Sequence, residues 1–135
     1  MEIMEIGQDV MEARRYDPDK DFESVKAWGK QWGANYSKDL LPSSGYIVPG
    51  IAAYFIYYTA TKVVWLENLV SNKEVPASLR EKALEKVTTA VLKEVNASDA
   101  KIAYATTDNI KVINRALKHG ATGEVSQTLL TITFK

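Results

Sequence analysis

The sequence predicts an α+β (mixed α/β) fold, with a central mixed sheet of six to seven mostly antiparallel strands and helices on both faces. Three observations support this fold class. Strand-like apolar segments and amphipathic helical segments alternate along one chain. Two strand-like segments are separated only by Pro49 and Gly50, as in an antiparallel turn. A short strand-like segment follows a long helical one, which is typical of a parallel pair. We interpret residues 1–135 as a single domain.

The composition is that of an ordinary globular protein and excludes several function classes. Hydrophobic residues make up 46% and charged residues 25%. Seventeen basic residues balance seventeen acidic ones without a basic block, so charge gives no support for binding nucleic acid or a membrane. The absence of cysteine excludes disulfides and thiolate chemistry, and we predict no metal site. We expect a cytoplasmic protein, because the start lacks the features of a signal peptide and the apolar run at 47–58 is too short to span a bilayer.

The first part of the chain predicts a strand followed by a helix. Residues 10–16 alternate as in a strand, and Asp17 and Pro18 then mark a turn that leads into a helix. Four apolar residues follow at helical spacing, namely Phe22, Val25, Trp28 and Trp32. We expect Gly33 to end this helix and both tryptophans to pack in the core.

The middle of the chain predicts a meander of three antiparallel strands. It begins after a turn-rich loop at 35–44, which we expect to shape a binding site. The segments 45–48 and 51–59 predict two strands around a turn, and the second lacks polar alternation, so it should be a central strand covered on both faces. The third strand is the segment 63–70, which is apolar apart from Glu67 and Asn68.

A long helix and a parallel strand are predicted next. Ser78 and Glu81 have the S-x-x-E order of a capping box, so we expect their side chains to accept hydrogen bonds from the backbone at the helix start. Apolar residues then repeat at helical spacing as far as Val95. Because residues 101–107 predict a strand after this helix, we expect that strand to lie parallel to the one that ends at Val70.

The C-terminal part predicts one more helix and a single last strand. The helix begins at Asn109 and closes with His119 and Gly120. The glycine suits a left-handed cap, and we interpret the histidine as a capping cation rather than a base or a metal ligand. Residues 123–135 alternate in polarity, as a terminal strand does.

This order of elements resembles the GCN5-related N-acetyltransferase (GNAT) superfamily over nearly the whole chain. The separation of Asn109 and Gly120 is similar to the family's Asn-to-Gly spacing in its late helix. The resemblance implies a GNAT-like sheet, acetyl-CoA as cofactor, and transfer of an acetyl group to an amine on a small molecule or a protein. The coenzyme would lie between the strands at 63–70 and 101–106. The cofactor-binding residues so implied are Asn68, Leu69 and Val70 for the pantetheine arm, Ser78, Leu79 and Arg80 for the pyrophosphate, and Asn109.

The chain departs from the family pattern at the phosphate loop and at the general acid. The family has a glycine-rich loop before the long helix, but no glycine occurs here between Val70 and Leu84, and a Cβ crowds the approach of phosphate to backbone. Arg80 and Lys73 are the charges that would compensate, or they are solvated surface residues. The family's late-helix tyrosine is replaced by an alanine, and Tyr104 on the preceding strand is the nearest substitute, with a core role as the alternative.

Glu67 is the predicted catalytic base, with Tyr104 as the second catalytic candidate. On an extended strand Glu67 shares a face with Val63, Trp65 and Leu69, and burial beside this apolar row would raise its pKa. A carboxylate with a raised pKa can take a proton from an amine before that amine attacks a thioester. The alternatives are a structural pair with a neighbouring Lys or Arg and a position at the solvated end of the strand.

A second hypothesis is a GNAT-fold protein without catalysis. The segment LLPSSGYIVPG at 40–50 and the glycine-free loop look like small acetyltransferase-like proteins of tailed bacteriophages, some of which are internal virion proteins. Such a protein would be a virion component or would bind a host protein, and its location would be the host cytoplasm or the virion. Exposed sheet edges in this fold often pair, so a homodimer is one expected partner state under either hypothesis.

Overall fold

A computed structural model describes residues 11–106, 114–115, 117–120, 122–124 and 129–134. Its strands are β1 (Arg14–Arg15), β2 (Gly45–Val48), β3 (Ala52–Tyr58), β4 (Val63–Ser71), β5 (Ile102–Thr106), β6 (Thr122–Glu124) and β7 (Leu129–Thr133), and its two bounded helices are α1 (Pro18–Gln31) and α2 (Ala77–Ala97). Residues 114–115 and 117–118 are also helical and, with His119 and Gly120, are called the late helical segment below.

The strands form one sheet in the order β1-β2-β3-β4-β5-β7-β6. Every neighbouring pair is antiparallel except β4 and β5, which are parallel. The mixed, mostly antiparallel fold class is therefore confirmed, as are the meander and the parallel strand after the long helix. The five residues of β3 from Ala52 to Ile56 are all buried, as expected for a central strand.

The two bounded helices pack against opposite faces of the sheet. The α1-side core consists of Tyr16, Phe22, Val25, Trp28, Leu41, Ile47, Ala53, Phe55 and Val70. The α2-side core includes Val48, Ala52, Tyr54, Ile56, Val64, Leu66, Ala83, Val87, Val91 and Val95. Because successive residues of β3 alternate between these two groups, the cores lie on opposite faces of the sheet.

The first strand is shorter than predicted and is anchored to α1. Of residues 11–16, only Arg14 and Arg15 pair with β2. The Arg14 guanidinium donates two hydrogen bonds of 2.9 Å to the Asp21 carboxylate, which also accepts one of 2.8 Å from the Asp17 amide. These donors outweigh the effect of burial, so the pKa of Asp21 is lowered.

The end of α1 corrects one core prediction. Trp28 is buried as expected, but Trp32 is 50% exposed, so its prediction as a core residue is wrong. Trp32 is the C-cap residue, and the chain turns at Gly33, whose φ is 84°. The amides of Gly33 and Ala34 donate to the carbonyls of Lys30 and Gly29, which closes the helix with a Schellman motif. Trp32 therefore lies at the end of the helix, where its ring contacts the last residue of β4 instead of packing in the core.

The start of α2 corrects the capping prediction. Pro76 is the N-cap residue and makes no side-chain cap, and Ser78 lies inside the first turn. Glu81 is directed elsewhere, because its carboxylate accepts a 2.6 Å bond from Arg115 of the late helical segment. The predicted capping box is therefore wrong.

The C-terminal region also differs from the single predicted strand. It contains two antiparallel strands, and β7 lies between β5 and β6. In the late helical segment, Gly120 has a φ of 95°, as expected for a left-handed cap. The His119 Nε2 lies 2.6 Å from a carboxylate oxygen of Glu85, so the ring is held against α2.

Candidate functional site

The candidate site is the opening where β4 and β5 separate. These parallel strands pair only from Val63 to Trp65 on β4 and from Ile102 to Tyr104 on β5. β4 then continues to Ser71 without further pairing to β5. Its edge therefore presents backbone N–H and C=O groups towards the gap, where an extended ligand can hydrogen-bond to them.

A β-bulge lies in the part of β4 that borders the opening. One residue separates Ala53 from Phe55 on β3, whereas two residues separate their partners Val70 and Glu67 on β4. The conformation of Asn68 accounts for the extra residue, because its φ of 62° lies in the left-handed region. Asparagine tolerates this conformation better than most residues.

The bulge reverses which face of the sheet the side chains of β4 occupy. Val64 and Leu66, before the bulge, belong to the α2-side core. Val70 is separated from them by an even number of positions and would share their face in a regular strand, but it belongs to the α1-side core. Leu69 packs instead against the α2-side core. Leu69 therefore does not share a face with Glu67 and Trp65, and the prediction that it does is wrong because the strand is not regularly extended at Asn68. A role of Leu69 and Val70 in cofactor binding would fall to their backbone.

Glu67 bridges the two separating strands. Its carboxylate accepts a 3.2 Å hydrogen bond from the Thr106 hydroxyl and another bond from the Thr106 amide. Burial raises the pKa of Glu67, and the two bonds from Thr106 oppose that effect without cancelling it. A half-buried carboxylate with a raised pKa, at the point where two strands part, is suited to accept a proton.

Glu67 and Tyr104 lie on the same face of the sheet, which is the α1 face. The register aligns Trp65 with Tyr104, and their ring centroids are 5.2 Å apart. Glu67 and Trp65 are two positions apart on β4 and so share this face, where Trp65 is 37% exposed. The structure therefore brings the two predicted catalytic residues together on an aromatic face of the opening.

Asn68 connects the bulge to the predicted binding loop. Its Nδ2 donates a 2.6 Å hydrogen bond to the Tyr57 hydroxyl. That hydroxyl in turn donates a 3.3 Å bond to the carbonyl of Leu40, which lies in the loop at 35–44. The loop is therefore linked to the bulge through one tyrosine, a contact that sequence reasoning missed because it joins three distant segments.

The turn between β4 and α2 is tied to the end of α1. The Lys73 amide donates a 2.7 Å bond to Gln31 Oε1, and the Glu74 amide donates a 3.0 Å bond to Asn72 Oδ1. The Val75 amide donates a 3.1 Å bond to the Asn72 carbonyl. These three amides are occupied within the protein, so they are not available to a ligand.

Few backbone donors remain at the start of α2. Pro76 has no N–H, and the amides of Leu79 and Arg80 each donate a 3.0 Å bond to its carbonyl. This arrangement leaves the amides of Ala77 and Ser78 without an acceptor inside the helix. The first turn of α2 contains no acidic residue, so the positive end of the helix dipole is uncompensated there.

Two cationic side chains lie close to the ring of an exposed tryptophan beside the start of α2. The Trp32 Nε1 donates a 2.7 Å bond to the Ser71 carbonyl, which fixes the ring next to the end of β4. The Lys73 ammonium lies 4.7 Å from the ring centroid and the Arg80 guanidinium lies 5.9 Å from it. The Arg80 Nε is buried without a hydrogen-bond partner. We name Trp32, Lys73 and Arg80 the cation–tryptophan cluster.

The structure thus assembles two groups of predicted residues. Glu67 and Tyr104 share one face of the sheet beside the opening, with Asn68 next to Glu67 on β4. Ser78 and Arg80 lie at the start of α2 next to the end of β4. Asn109 lies outside the described residues. Sequence reasoning missed Thr106, Tyr57 and Trp32, and only Trp32 gave a sequence signal, since it directly precedes the helix-ending glycine.

No protein-family model and no curated protein matches this sequence. Solved structures of similar fold include Ard1 and N-acetylglutamate synthase. Ard1 from Thermoplasma volcanium has a TM-score of 0.65 at 17% identity, and the match covers 91% of this chain and 97% of Ard1. N-acetylglutamate synthase from Neisseria gonorrhoeae, complexed with coenzyme A and L-arginine, has a TM-score of 0.69 at 11% identity over 90% of this chain. This chain spans 32% of that synthase. The GNAT-like fold predicted from the sequence is therefore confirmed.

The described ranges contain neither a candidate metal cluster nor a candidate membrane span. Within them, no cluster of three or more His, Cys, Asp or Glu side chains is arranged to hold a metal ion. None of the helices in those ranges combines the length and apolar character that a membrane span needs.

Proposed function

We propose that this chain is an acetyl-CoA-dependent N-acyltransferase that moves an acetyl group to an amine on a small molecule or a protein. The observation that carries the proposal is the opening between β4 and β5, with the bulge at Asn68 beside it. An unpaired strand edge can hydrogen-bond to the amides of an extended pantetheine arm, much as it would to a peptide. The similar synthase was solved with coenzyme A, which supports the same ligand here.

In the proposed reaction, Glu67 is the general base and Tyr104 the general acid. Glu67 takes a proton from the acceptor amine, whose lone pair attacks the thioester carbonyl carbon. The tetrahedral intermediate collapses as the carbon–sulfur bond breaks, and the leaving thiolate takes a proton from the Tyr104 hydroxyl. Backbone amides along the β4 edge would stabilise the oxyanion.

The proposed cofactor contacts follow the two parts of the site. The backbone of Asn68, Leu69 and Val70 would bind the pantetheine arm, and the Ser78 amide and the Arg80 side chain at the start of α2 would bind the pyrophosphate. Leu79 offers no donor to it, because its amide is bonded to the Pro76 carbonyl and its side chain is apolar. Asn109 is retained as a proposed cofactor residue. The aromatic face near Trp65 and the loop at 35–44 would receive the acceptor.

Calorimetric titration with acetyl-CoA, and separately with coenzyme A, tests this proposal. Micromolar affinity that Arg80→Glu abolishes would support it and would justify an acceptor screen with Glu67→Gln as the inactive control. Absence of both heat and a thermal shift at millimolar ligand would refute the enzyme hypothesis.

The second candidate is a GNAT-fold protein without catalysis, either a virion component or a binder of a host protein. One observation favours it, namely that the amides of Lys73, Glu74 and Val75 are already bonded inside the protein. The same titration decides between the candidates, since this one predicts no coenzyme binding. A single domain, a homodimer and a location in the host cytoplasm or virion remain predictions.

A further inference from the structure

We propose that Thr106 is a positioning residue that holds the Glu67 carboxylate across the opening between β4 and β5. This inference rests on the proposed function for the role of Glu67 as the general base. It deepens that function, because it assigns the group that orients the base and regulates its proton state.

The register of the parallel strands places Thr106 opposite Glu67. The ladder between β4 and β5 ends with the pair Trp65 and Tyr104. Two positions further along each strand, Glu67 and Thr106 face each other on the same side of the sheet, but there the backbones have separated. The Thr106 hydroxyl donates its 3.2 Å hydrogen bond to Glu67 Oε2 across this gap. A side-chain contact therefore joins the two strands where their backbone pairing stops.

Both ends of this contact are held by strands that lie away from the opening. Glu67 pairs with Phe55 of β3, a residue that is fully buried, and Thr106 pairs with Leu129 of β7. Threonine is branched at Cβ, which restricts its χ1 angle and hence the direction of its hydroxyl. The contact therefore costs little ordering, and Thr106 can fix the direction of the carboxylate.

The charged groups around Glu67 leave Thr106 as the group that favours its ionised form. Within the part of the chain that the structure describes, no ion pair includes Glu67. Its titratable neighbours are the tyrosines Tyr54 and Tyr57 on β3 and Tyr104 on β5. Burial raises the pKa of Tyr54 and Tyr57, and the charge of Glu67 adds to this effect. These two side chains are therefore neutral near pH 7 and supply no positive charge to the carboxylate.

The bonds from Thr106 oppose the effect of burial on Glu67. Burial raises the pKa of the carboxyl group, whereas the Thr106 hydroxyl and, after it, the Thr106 amide lower it. A general base must be ionised before it can accept a proton, so these donors keep Glu67 ready for the acceptor amine. A carboxylate has about four lone-pair positions, so two bonds from Thr106 still leave room for the proton of the amine.

The test is a titration of the Glu67 carboxyl group by carbon-13 NMR in the full chain without any ligand. Thr106→Val removes the hydroxyl but keeps the shape and the amide, and Thr106→Ser restores the hydroxyl. Thr89→Val is the matched control, because Thr89 is exposed on α2, which packs on the other face of the sheet. Glu67→Gln identifies the signal, and melting temperatures confirm that each variant is folded.

We expect Glu67 to titrate at a higher pH in Thr106→Val than in the wild type, because the larger of the two opposing contributions is lost. Thr106→Ser should return the midpoint towards that of the wild type, and Thr89→Val should leave it unchanged. An unchanged midpoint in Thr106→Val, or an equal change in Thr89→Val, would overturn the inference. A merely structural role for Thr106 would lower the melting temperature without moving this titration.

The same variants are then compared in acetyl transfer to an acceptor found by the screen. Thr106→Val should lower kcat about tenfold and change KM for acetyl-CoA less than about twofold, because the base is misdirected while the coenzyme contacts remain. Its activity should also begin to fall at a higher pH on acidification, since the ionised base is lost as the pH drops through the raised pKa. Thr106→Ser should recover kcat to within about threefold of the wild type. A raised KM with an unchanged kcat and pH profile would contradict the positioning role.

The inference and the proposed function can fail separately. If coenzyme A does not bind, the enzyme proposal fails, but the NMR titration of the free protein still decides whether Thr106 holds Glu67. If acetyl transfer occurs and requires Glu67, yet the carboxyl group titrates identically in the wild type and Thr106→Val, the enzyme proposal stands and the inference is overturned.

Discussion

The bulge in β4 leads to a quantitative prediction about Asn68. Its φ of 62° costs a residue with a Cβ about 1 kcal/mol or more, although asparagine tolerates it better than alanine. Its side chain also donates the 2.6 Å hydrogen bond to the Tyr57 hydroxyl, and such a bond contributes about 1 kcal/mol. We therefore expect Asn68→Ala to lower the free energy of unfolding by about 2 kcal/mol.

Asn68→Gly separates the two contributions. Glycine adopts this φ without strain, but the Asn68→Gly variant loses the same hydrogen bond as the alanine variant. The glycine variant should therefore be more stable than the alanine variant by about 1 kcal/mol. This order is the reverse of the usual one in a strand, where glycine is the weaker residue. Urea unfolding of the two variants measures the difference.

Tyr57→Phe is the companion variant for the hydrogen bond. It should cost about 1 kcal/mol alone and clearly less than that when added to Asn68→Ala. Both substitutions remove the Asn68–Tyr57 bond, and Tyr57→Phe removes in addition only the longer 3.3 Å bond to the Leu40 carbonyl. A glycine variant that is less stable than the alanine variant would refute the left-handed conformation at Asn68. Fully additive losses in the double variant would refute the Asn68–Tyr57 bond.

Three other predictions concern Glu67, Leu66 and Asp21. Glu67→Gln should abolish acetyl transfer, because glutamine cannot accept the proton. Burial raises the pKa of Glu67, so this variant should be at least as stable as the wild type at pH 7, and any advantage should vanish as the pH falls below the ordinary value of 4.5. Lower stability of the variant at pH 7 would contradict this. Leu66→Ala should cost about 3 kcal/mol in urea unfolding, whereas the matched change at Leu40, which is 73% exposed, should cost less than about 0.5 kcal/mol. Because the pKa of Asp21 is lowered, the stability it contributes is present above the ordinary value of 3.8 and is lost as the pH falls through the lowered pKa. Asp21→Asn should therefore cost about 2 kcal/mol at pH 7 and less in acid, as thermal melts across this range would show.

Local periodicity was sufficient to predict most of the fold. The apolar stripe of α2 and the unbroken apolar run of β3 each identify an element and the surface it buries. The parallel placement of β5 followed from chain order alone, because a strand that follows a long helix returns parallel to the strand before it. Glu67 was identified because an acidic residue within an apolar strand is unusual.

The predictions that failed depended on competition between neighbours. Trp32 fits the apolar stripe of α1, but Gly33 ends the helix directly after it, and its ring lies at the end of β4, where half of the residue stays exposed. The capping box predicted from the S-x-x-E order at Ser78 does not form. The helix is capped two residues earlier, at Pro76, and the Glu81 carboxylate binds Arg115 instead of the backbone. Such outcomes depend on tertiary contacts that no local pattern encodes.

The bulge at Asn68 was also beyond sequence reasoning. A single asparagine in a strand does not reveal its φ, and an extra residue in β4 becomes visible only when its partners on β3 are known. The bond from Asn68 to Tyr57 joins positions on neighbouring strands and has the same dependence on register. The bulged part of β4 that borders the opening is thus the part of the candidate site that the sequence describes least.

The early separation of β4 from β5 has a consequence for isotope labelling. Peptide hydrogens of β4 that face β3 lie in the sheet ladder and should exchange slowly with deuterated solvent. Those beyond Trp65 that face the gap have no ladder partner on β5 and should exchange within the fastest class of the strand. Alternate positions along one strand would therefore differ in deuterium uptake, and a molecule lodged in the gap would slow only the fast set. Slower deuterium uptake at these amides would therefore identify compounds that enter the gap, before any acceptor is known.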